Sequence, residues 1–371
     1  MSGPHQVIAG AGLKTLQLNE INPKEIKMFP NRSLYGLIVI AVIIVTACAP
    51  QSVPTSASSP TAKPTIAQST ATTISTVVIT EQPVESPVEQ VWSITGKPNA
   101  FSTPDGLALD PQGNLYVMDS GNNRIQKFDS DGNLILMWGS EGNGDGQLGC
   151  ASICMVAVDG QGNVYITDNN NARIQKFDSN GKFLAKWGSS GSQDGQFINP
   201  FGIAVDREGN VYIGDVGNAR IQKFDINGKF LMKWGSEGYE DGQFSSDLAD
   251  IAVDSQSNVY VTDRSNGIYR FDRNGQFLAR WDACGDDKPI SSATGVAVDA
   301  QDNIYVFDLS NSRICKYDSN GNFLSNWDGS GSPEGSFYAV GGVAVDQQGN
   351  VYVAELFDGR VRKFHQLEPT P

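Results

Sequence analysis

Between residues 92 and 366, short apolar and polar stretches alternate in a pattern that returns again and again. A unit begins with an apolar run that ends in aspartate (203–206) and continues through a turn to an alternating stretch (211–215). Valine, tyrosine and isoleucine at every second position are typical of a half-buried strand. A third stretch (220–225) precedes Asn227-Gly228, which favours a tight hairpin because glycine tolerates positive φ. The fourth stretch, residues 229–234, completes a four-stranded antiparallel unit.

The unit recurs six times along the chain. Its first stretch ends in aspartate at intervals of 45 to 49 residues, at Asp110, Asp159, Asp206, Asp254, Asp299 and Asp346. A period of this length, without helical periodicity, predicts an all-β, six-bladed β-propeller with four antiparallel strands per blade. One such blade cannot bury both of its faces, so we expect recurrent aromatic residues such as Tyr165, Phe177 and Trp187 to pack between blades.

The two ends of the repeated region are complementary. Five units end their fourth stretch in tryptophan, at Trp138, Trp187, Trp234, Trp281 and Trp327. The sixth unit stops after Phe364 without a fourth stretch, while Trp92 stands alone ahead of the first unit. We therefore expect residues 88–92 to form the outer strand of the last blade and to close the ring.

The repeat resembles the NHL-repeat family. The third unit carries the resemblance nearly throughout, from Gly-Ile-Ala-Val-Asp at 202–206 to Asp-Gly-Gln-Phe at 241–244. The resemblance covers residues 92–366 and implies a six-bladed propeller. Two units depart from the family pattern: the fourth lacks the usual arginine after Ser265-Asn-Gly267, and the sixth ends its second strand in Glu355 instead of aspartate.

Residues 1–91 do not share the repeat. An apolar run at 37–45 follows Lys24, Lys27 and Arg32, an order typical of export signals, and it is shorter than the ~20 residues of a bilayer span. The sequence ending in Cys48 resembles the bacterial lipobox, which implies lipidation of that cysteine after cleavage. An uncleaved anchor helix is the alternative. Met28 offers a second start, which would make residues 1–27 an extension.

Serine, threonine, proline and alanine dominate residues 49–87, a composition that cannot bury a core and predicts a disordered tether. We therefore expect a monomer anchored by lipid to the outer face of a membrane in the bacterial cell envelope, with an extracytoplasmic propeller. The expected segments are a signal and lipobox at 1–48, the tether at 49–87, the propeller at 88–366 and a tail at 367–371.

Charge and cysteine content narrow the function classes. The formal net charge is −14, and an acidic domain repels phosphate backbones, so nucleic acid is excluded as a partner. Beside Cys48, four cysteines remain, an even number that suggests disulfides in an exported protein. Their positions favour the pairs Cys150–Cys154 and Cys284–Cys315, with free buried thiols as the alternative. No Cys-x-x-Cys motif or histidine cluster indicates a metal site.

Candidate catalytic residues are few. Streptogramin lyases and peptidyl-amidating lyases, which share this fold, use histidines near the channel, but the only two histidines here, His5 and His365, match none of them. Lactonase-like propellers hold calcium at the channel. The residues expected to enter the first strands are Asp105, Met155, Gly202, Asp250, Gly295 and Gly342. Two carboxylates among small residues are a weak calcium signal.

A second aspartate ends the second strand of five units, at Asp119, Asp168, Asp215, Asp263 and Asp308. Because chemistry needs a residue once and not in every blade, we expect these carboxylates to pair with the arginine five residues later or with loop amides. The aspartates that end the first strands, such as Asp159 and Asp206, are expected to cap turns.

Function is expected in the loops, because loops that differ on a rigid scaffold usually carry binding. The candidate binding residues at one end of the blades are Asp105, Phe201, Tyr239, Asp250, Arg264, Tyr338 and Phe357. The leading hypothesis is a surface-tethered, non-enzymatic binding or scaffold module that recognises protein, peptide or glycan without a cofactor. The alternative is a calcium-dependent hydrolase or lyase with its site at the central channel.

Overall fold

A computed structural model describes residues 88–95, 100–150, 153–285 and 289–367. Within these residues the chain forms six separate sheets of four antiparallel strands. This confirms the all-β, six-bladed propeller. The signal segment, the lipidation site Cys48 and the tether lie outside the described residues. No helix in the described part of the chain has the length and apolar character needed to cross a membrane.

The first strand is β1 (Val88–Ile94). Blade one contains β2 (Pro104–Leu109), β3 (Leu115–Asp119), β4 (Arg124–Phe128) and β5 (Leu134–Trp138). Blade two contains β6 (Val156–Val158), β7 (Val164–Asp168), β8 (Arg173–Phe177) and β9 (Phe183–Trp187). Blade three contains β10 (Pro200–Val205), β11 (Val211–Asp215), β12 (Arg220–Phe224) and β13 (Phe230–Trp234). Single 3₁₀ turns follow the second strands of these blades, at Ser120–Asn122, Asn169–Asn171 and Val216–Asn218.

Blade four contains β14 (Leu248–Val253), β15 (Val259–Asp263), β16 (Gly267–Phe271) and β17 (Phe277–Trp281). Blade five contains β18 (Ala293–Val298), β19 (Ile304–Asp308), β20 (Arg313–Tyr317) and β21 (Phe323–Trp327). Blade six contains β22 (Val340–Val345), β23 (Val351–Glu355) and β24 (Arg360–Gln366), and β1 completes it.

The first and last strands of the propeller close the ring, as the sequence predicts. Strand β1 pairs antiparallel with β24, with Trp92 opposite Lys363. The Trp92 ring lies edge-on to Tyr352 at 5.7 Å between centroids. Its indole Nε1 donates a hydrogen bond of 3.1 Å to the carbonyl of Ser130 in blade one. One side chain therefore joins the closing strand to the last blade and to the first.

The core lies between blades, because each apolar cluster draws on two neighbouring sheets. The cluster between blades one and two, for example, contains Tyr116 and Ile125 from one blade and Phe177 from the other. The tryptophans contribute to the same contacts. A Cβ at Gly181 in the blade-two hairpin would lie 2.7 Å from the ring of Trp138 in blade one. The expectation that recurrent aromatics pack between blades is confirmed.

A cation also links neighbouring blades. In blade one the Lys127 ammonium lies 4.8 Å from the centre of the Tyr116 ring and donates to the carbonyl of Ser179 in blade two. At the closure, Lys363 of blade six donates to the Ser130 carbonyl at 3.2 Å. The Ser130 carbonyl thus accepts bonds from both Lys363 and Trp92.

The structure contains two disulfides. Cys150 and Cys154 are joined within the segment between β5 and β6, with their Cα atoms 5.5 Å apart. Cys284, in the loop after β17, is joined to Cys315 on β20, with a Cα separation of 5.8 Å. The second bridge ties blade four to blade five across 31 residues of sequence. These are the two pairings that the sequence positions favour.

Candidate functional site

The propeller has two faces, at opposite ends of its blades, and each face carries different connections between strands. Each first strand begins beside the end of the second strand of its blade, as Pro104 does beside Asp119. We call this end the upper face. The opposite end, the lower face, carries the turns between first and second strands and between third and fourth strands.

The lower-face aspartates are turn caps. The Asp110 Oδ1 accepts hydrogen bonds from the backbone N–H groups of Gln112 at 3.0 Å and Asn114 at 2.9 Å. Its Oδ2 accepts from the Tyr116 hydroxyl at 3.2 Å. The same contacts recur at Asp159, Asp206, Asp254, Asp299 and Asp346. The predicted structural role of these residues is confirmed.

The upper-face aspartates hold loops in place. The Asp168 Oδ1 accepts from the Gly149 N–H at 2.7 Å, and its Oδ2 accepts from Arg173 at 2.6 Å and Gln175 at 2.9 Å. The pairing with the arginine five residues later recurs in blades one, three and five. These carboxylates are therefore committed to the scaffold, as expected.

The two blades that depart from the repeat replace these bonds with others. In blade four, which lacks the arginine, Asp263 accepts from the backbone N–H of Ser245 at 2.7 Å and from its hydroxyl at 2.6 Å. In blade six, Glu355 pairs with Arg360 and with the fully buried Arg362, the latter at 2.8 Å. In both blades the carboxylate therefore bonds to neighbouring residues of the scaffold, as in the other blades.

A cavity of about 190 Å³ opens on the upper face. It brings together four of the seven predicted binding residues, Phe201, Asp250, Arg264 and Phe357. A fifth, Tyr338, contacts Phe357, with ring centroids 6.0 Å apart. The residues that line it come from blades two to six, with most of them from blades four to six.

Asp250 is the buried acid of the cavity wall. Its side chain Oδ1 accepts from the Ile251 N–H at 2.8 Å, and its Oδ2 accepts from the Val296 N–H of blade five at 3.1 Å. Burial raises the pKa of this carboxyl to about 7, against the opposing effect of the two N–H groups. Asp250 therefore titrates near neutrality at the edge of the cavity.

Arg264 is the cation of the cavity. It is the first residue after β15 and is only partly exposed. Its guanidinium carbon lies 5.9 Å from the centre of the Phe201 ring. Among the described residues it forms no ion pair, whereas the arginines that begin the third strands of four blades are bound to carboxylates.

Two aromatic side chains stand at the mouth of the cavity. Phe357 is 73% exposed and Tyr338 is 62% exposed. Neither is needed to fill the core between blades, since both rings face solvent more than protein. Exposed aromatics clustered beside a cavity are a common mark of a binding surface.

Asp105 and Tyr239 do not join this cluster. Asp105 is completely buried in β2, where its Oδ1 accepts from the Gly106 N–H at 2.7 Å and its Oδ2 has no hydrogen-bond partner among the described residues. Burial raises the pKa of this carboxyl well above its usual range. Tyr239 lies on the loop after β13 and is exposed, but it does not line the cavity.

The register of the inner strands explains why Asp105 and Asp250 are not equivalent. Leu107 pairs with Val117 in blade one, and Ile251 pairs with Val261 in blade four. Asp105 therefore stands two positions before the matching residue, and Asp250 stands one position before it. Asp250 bonds across to blade five, whereas Asp105 lies near Ser120 and Cys154 at the boundary with blade two.

Sequence reasoning missed the aliphatic wall of the cavity, which includes Leu309 and Leu356. Each is the first residue after a second strand, the position that Arg264 holds in blade four. The corresponding residues in the first three blades are Ser120, Asn169 and Val216. A comparison of this single position across all six units could have located the cavity, because a leucine side chain cannot make the polar contacts that recur beside it around the ring.

A metal or histidine centre is not evident in the described residues, which contain no group of three or more His, Cys, Asp or Glu side chains placed to hold an ion. His365 is exposed on β24, and its Nδ1 lies 2.7 Å from the Asn350 side-chain oxygen at the lower-face turn. It is therefore not part of the upper-face cavity.

Comparison with known proteins agrees with the fold. The sequence profile of the NHL repeat matches residues 101–128, and that of a 6-bladed beta-propeller family matches residues 151–236. No curated protein sequence matches the chain. The fold defines the class, a six-bladed β-propeller with a loop-lined cavity on one face. Within that class the chain is similar to NHL-repeat propellers, and the match to the NHL repeat itself lies in blade one.

Solved structures with the same fold have diverse roles. Virginiamycin B lyase from Staphylococcus aureus is 12% identical, with a TM-score of 0.54, over 76% of this chain and all of that chain. A gluconolactonase from Xanthomonas campestris is 16% identical, with a TM-score of 0.51, over 71% of this chain and 86% of the other. A protein of unknown function from Bacteroides thetaiotaomicron is 17% identical, with a TM-score of 0.55, over 76% and 72%. At these identities the likeness shows the fold alone.

Proposed function

We propose that the protein is a non-enzymatic binding module that takes its ligand on the upper face of the propeller, at the cavity and its aromatic rim. In this proposal Cys48 carries a lipid anchor in the outer leaflet of a bacterial envelope membrane, and residues 49–87 tether the propeller to it. The ligand is a protein, peptide or glycan.

The observation that carries the proposal is the contrast between used and unused side chains. The repeated carboxylates of both faces are bound within the scaffold. In contrast, Arg264 lacks an ion pair with any described residue, and Phe357 and Tyr338 expose most of their surface. Exposed aromatics and an uncommitted arginine are the residue types that dominate binding hot spots.

Site-specific photo-crosslinking tests this proposal. A benzophenone amino acid at position 338 of the full-length chain should form adducts in envelope extracts, and a Phe357→Ala change in that chain should abolish them. The matched control carries the probe at position 231, where Leu231 is 43% exposed on the outer strand β13. Equal adducts from both positions, or none from position 338, would contradict an upper-face binding role. Protease and glycosidase digestion then assigns the adduct to a class.

The alternative, a calcium-dependent hydrolase or lyase, has one observation in its favour, the buried Oδ2 of Asp105, which lacks a partner among the described residues. Calcium takes six to eight oxygen ligands, and Asp105 and Asp250 contact different neighbouring blades. The residues do not fit a shared ion. A calcium enzyme should gain several degrees in melting temperature in millimolar calcium by mass action, whereas the binding module should not shift relative to magnesium at the same concentration.

A further inference from the structure

The cavity combines one cation with apolar walls. Arg264 stacks on Phe201 beside the cavity, and a guanidinium stacked on a ring can still present its fork of N–H donors to a carboxylate. The protein around it is strongly acidic, with a formal net charge of −14. A partly buried arginine that has no ion pair within the described part of such a protein is available to an incoming anion.

The nearest acid of the cavity does not satisfy this arginine. Both oxygens of Asp250 accept backbone N–H groups, from Ile251 and Val296, and no ion pair joins it to Arg264. The burial that raises the pKa of Asp250 to about 7 also reduces its negative charge near neutrality. Repulsion of an anion by this carboxyl is therefore weakened where the protein would meet its ligand.

The remaining wall selects an apolar group of limited size. Leu309, Leu356 and Phe357 contribute side chains from blades five and six. The cavity volume of about 190 Å³ is below the roughly 300–1,000 Å³ of pockets that enclose drug-sized ligands. It therefore suits a group the size of one aliphatic or aromatic side chain.

We propose that the cavity binds an apolar carboxylate, with Arg264 bound to the carboxylate and the leucine and phenylalanine walls enclosing the apolar group. The chemistry is that of a peptide's last residue when it is leucine-like, or of a small branched organic acid. The inference rests on the proposed function for the location of the site. Of the ligands proposed there it corresponds to a peptide, and the small-acid outcome would replace that ligand while leaving the site in place.

Titration calorimetry with the full-length protein tests the chemistry. The probes are acetyl-Gly-Gly-Leu, the same peptide with a C-terminal amide, and 4-methylpentanoate as the free acid. Loss of a charge-assisted hydrogen bond predicts that amidation weakens binding about tenfold or more. Comparable affinity of 4-methylpentanoate and the peptide acid assigns the site to small acids, and much tighter binding of the peptide assigns it to peptide ends. Equal binding of acid and amide, or no binding of either acid, would overturn the proposal.

A matched pair of arginine variants locates the anion site. Arg264→Ala should weaken binding of the acid probe about tenfold, whereas Arg207→Ala should leave it unchanged. Arg207 is an exposed arginine of a lower-face turn, so the two variants lose the same charge at opposite ends of the propeller. An equal loss in both would show that net charge, and not the cavity, attracts the probe.

The two proposals can fail separately. If crosslinking at position 338 depends on Phe357 but the acid probes do not distinguish Arg264 from Arg207, the upper face is a binding surface and the ligand class is wrong. If crosslinking fails while the probes bind through Arg264, the cavity has its ligand and the broader recognition surface is wrong.

Discussion

The position of an acidic side chain in its strand decides whether it bonds within its own blade or lines the cavity. Asp206 and Asp215 lie in one blade, and both are consumed by hydrogen bonds. Asp250 occupies a position that is glycine in blades one, three, five and six, where a Cβ would lie about 3 Å or less from the next blade's backbone. Blade four has aspartate at this position instead of glycine, and this difference places an ionisable carboxyl group in the cavity wall.

The buried carboxyl of Asp250 should make stability depend on pH. Its folded pKa of about 7 lies above the ordinary 3.8, so the folded state keeps a proton that the unfolded state releases. Stability therefore falls as pH rises from about 4 to about 7. Because Asp250→Asn lacks this titration, its urea midpoint should rise relative to that of the natural protein over this window. Asp105 shifts both proteins in the same direction and cancels in the comparison. A constant gap between the two curves would contradict the assignment.

At the scale of the element, the hairpin between third and fourth strands is also a contact between blades. Gly228 has φ +81°, which an L-residue adopts with strain, and its Cα faces the Trp187 ring of the preceding blade. The Asn-Gly pair identifies the turn from sequence, because the turn is local. The contact with tryptophan follows only once the blades are stacked.

Two glycine variants separate the cost of backbone strain in the turn from the cost of crowding the tryptophan ring. Gly113 has φ +82°, and a Cβ added there would have nothing within 4 Å, whereas a Cβ on Gly228 would lie 2.6 Å from the Trp187 ring. Gly113→Ala should therefore cost about 1 kcal/mol from backbone strain alone. Gly228→Ala should cost about 1–3 kcal/mol more, because it also overpacks the blade contact. Equal losses in urea denaturation would show that the tryptophan contact adds nothing.

For the whole molecule, sequence reasoning was most successful where the structure repeats. The regular spacing of the six units and the lone Trp92 sufficed to predict the blades and their closure, because each blade repeats the same pairing and packing. The cavity could not be predicted in the same way. It arises where Arg264, Leu309 and Leu356 differ from their counterparts. The sequence does show that Asp105 and Asp250 are not equivalent, because Gly106 stands four residues before Asp110 as Asp250 stands four residues before Asp254.

Removal of the closing tryptophan should weaken the entire ring. Trp92→Ala deletes the contact with Tyr352 and the hydrogen bond to Ser130, so we expect a loss of about 3 kcal/mol, at the lower end of core aromatic truncations because the side chain is partly exposed. Val91→Ala on the same strand is the control, since Val91 is 51% exposed and should lose less than about 1 kcal/mol. Denaturation midpoints that match for both variants would contradict closure through Trp92.

Because the first strand closes the ring, closure must wait until its partner strand β24 has been synthesised. Trp92 pairs with Lys363, and ribosomes add about 5–20 residues per second, so β1 waits roughly 15–55 s for its partner to be made. Throughout that interval five complete blades can assemble while the first strand remains without its neighbour. The ring of the newborn chain therefore stays open, with the strand of Trp92 unpaired, until residues 360–366 have been made.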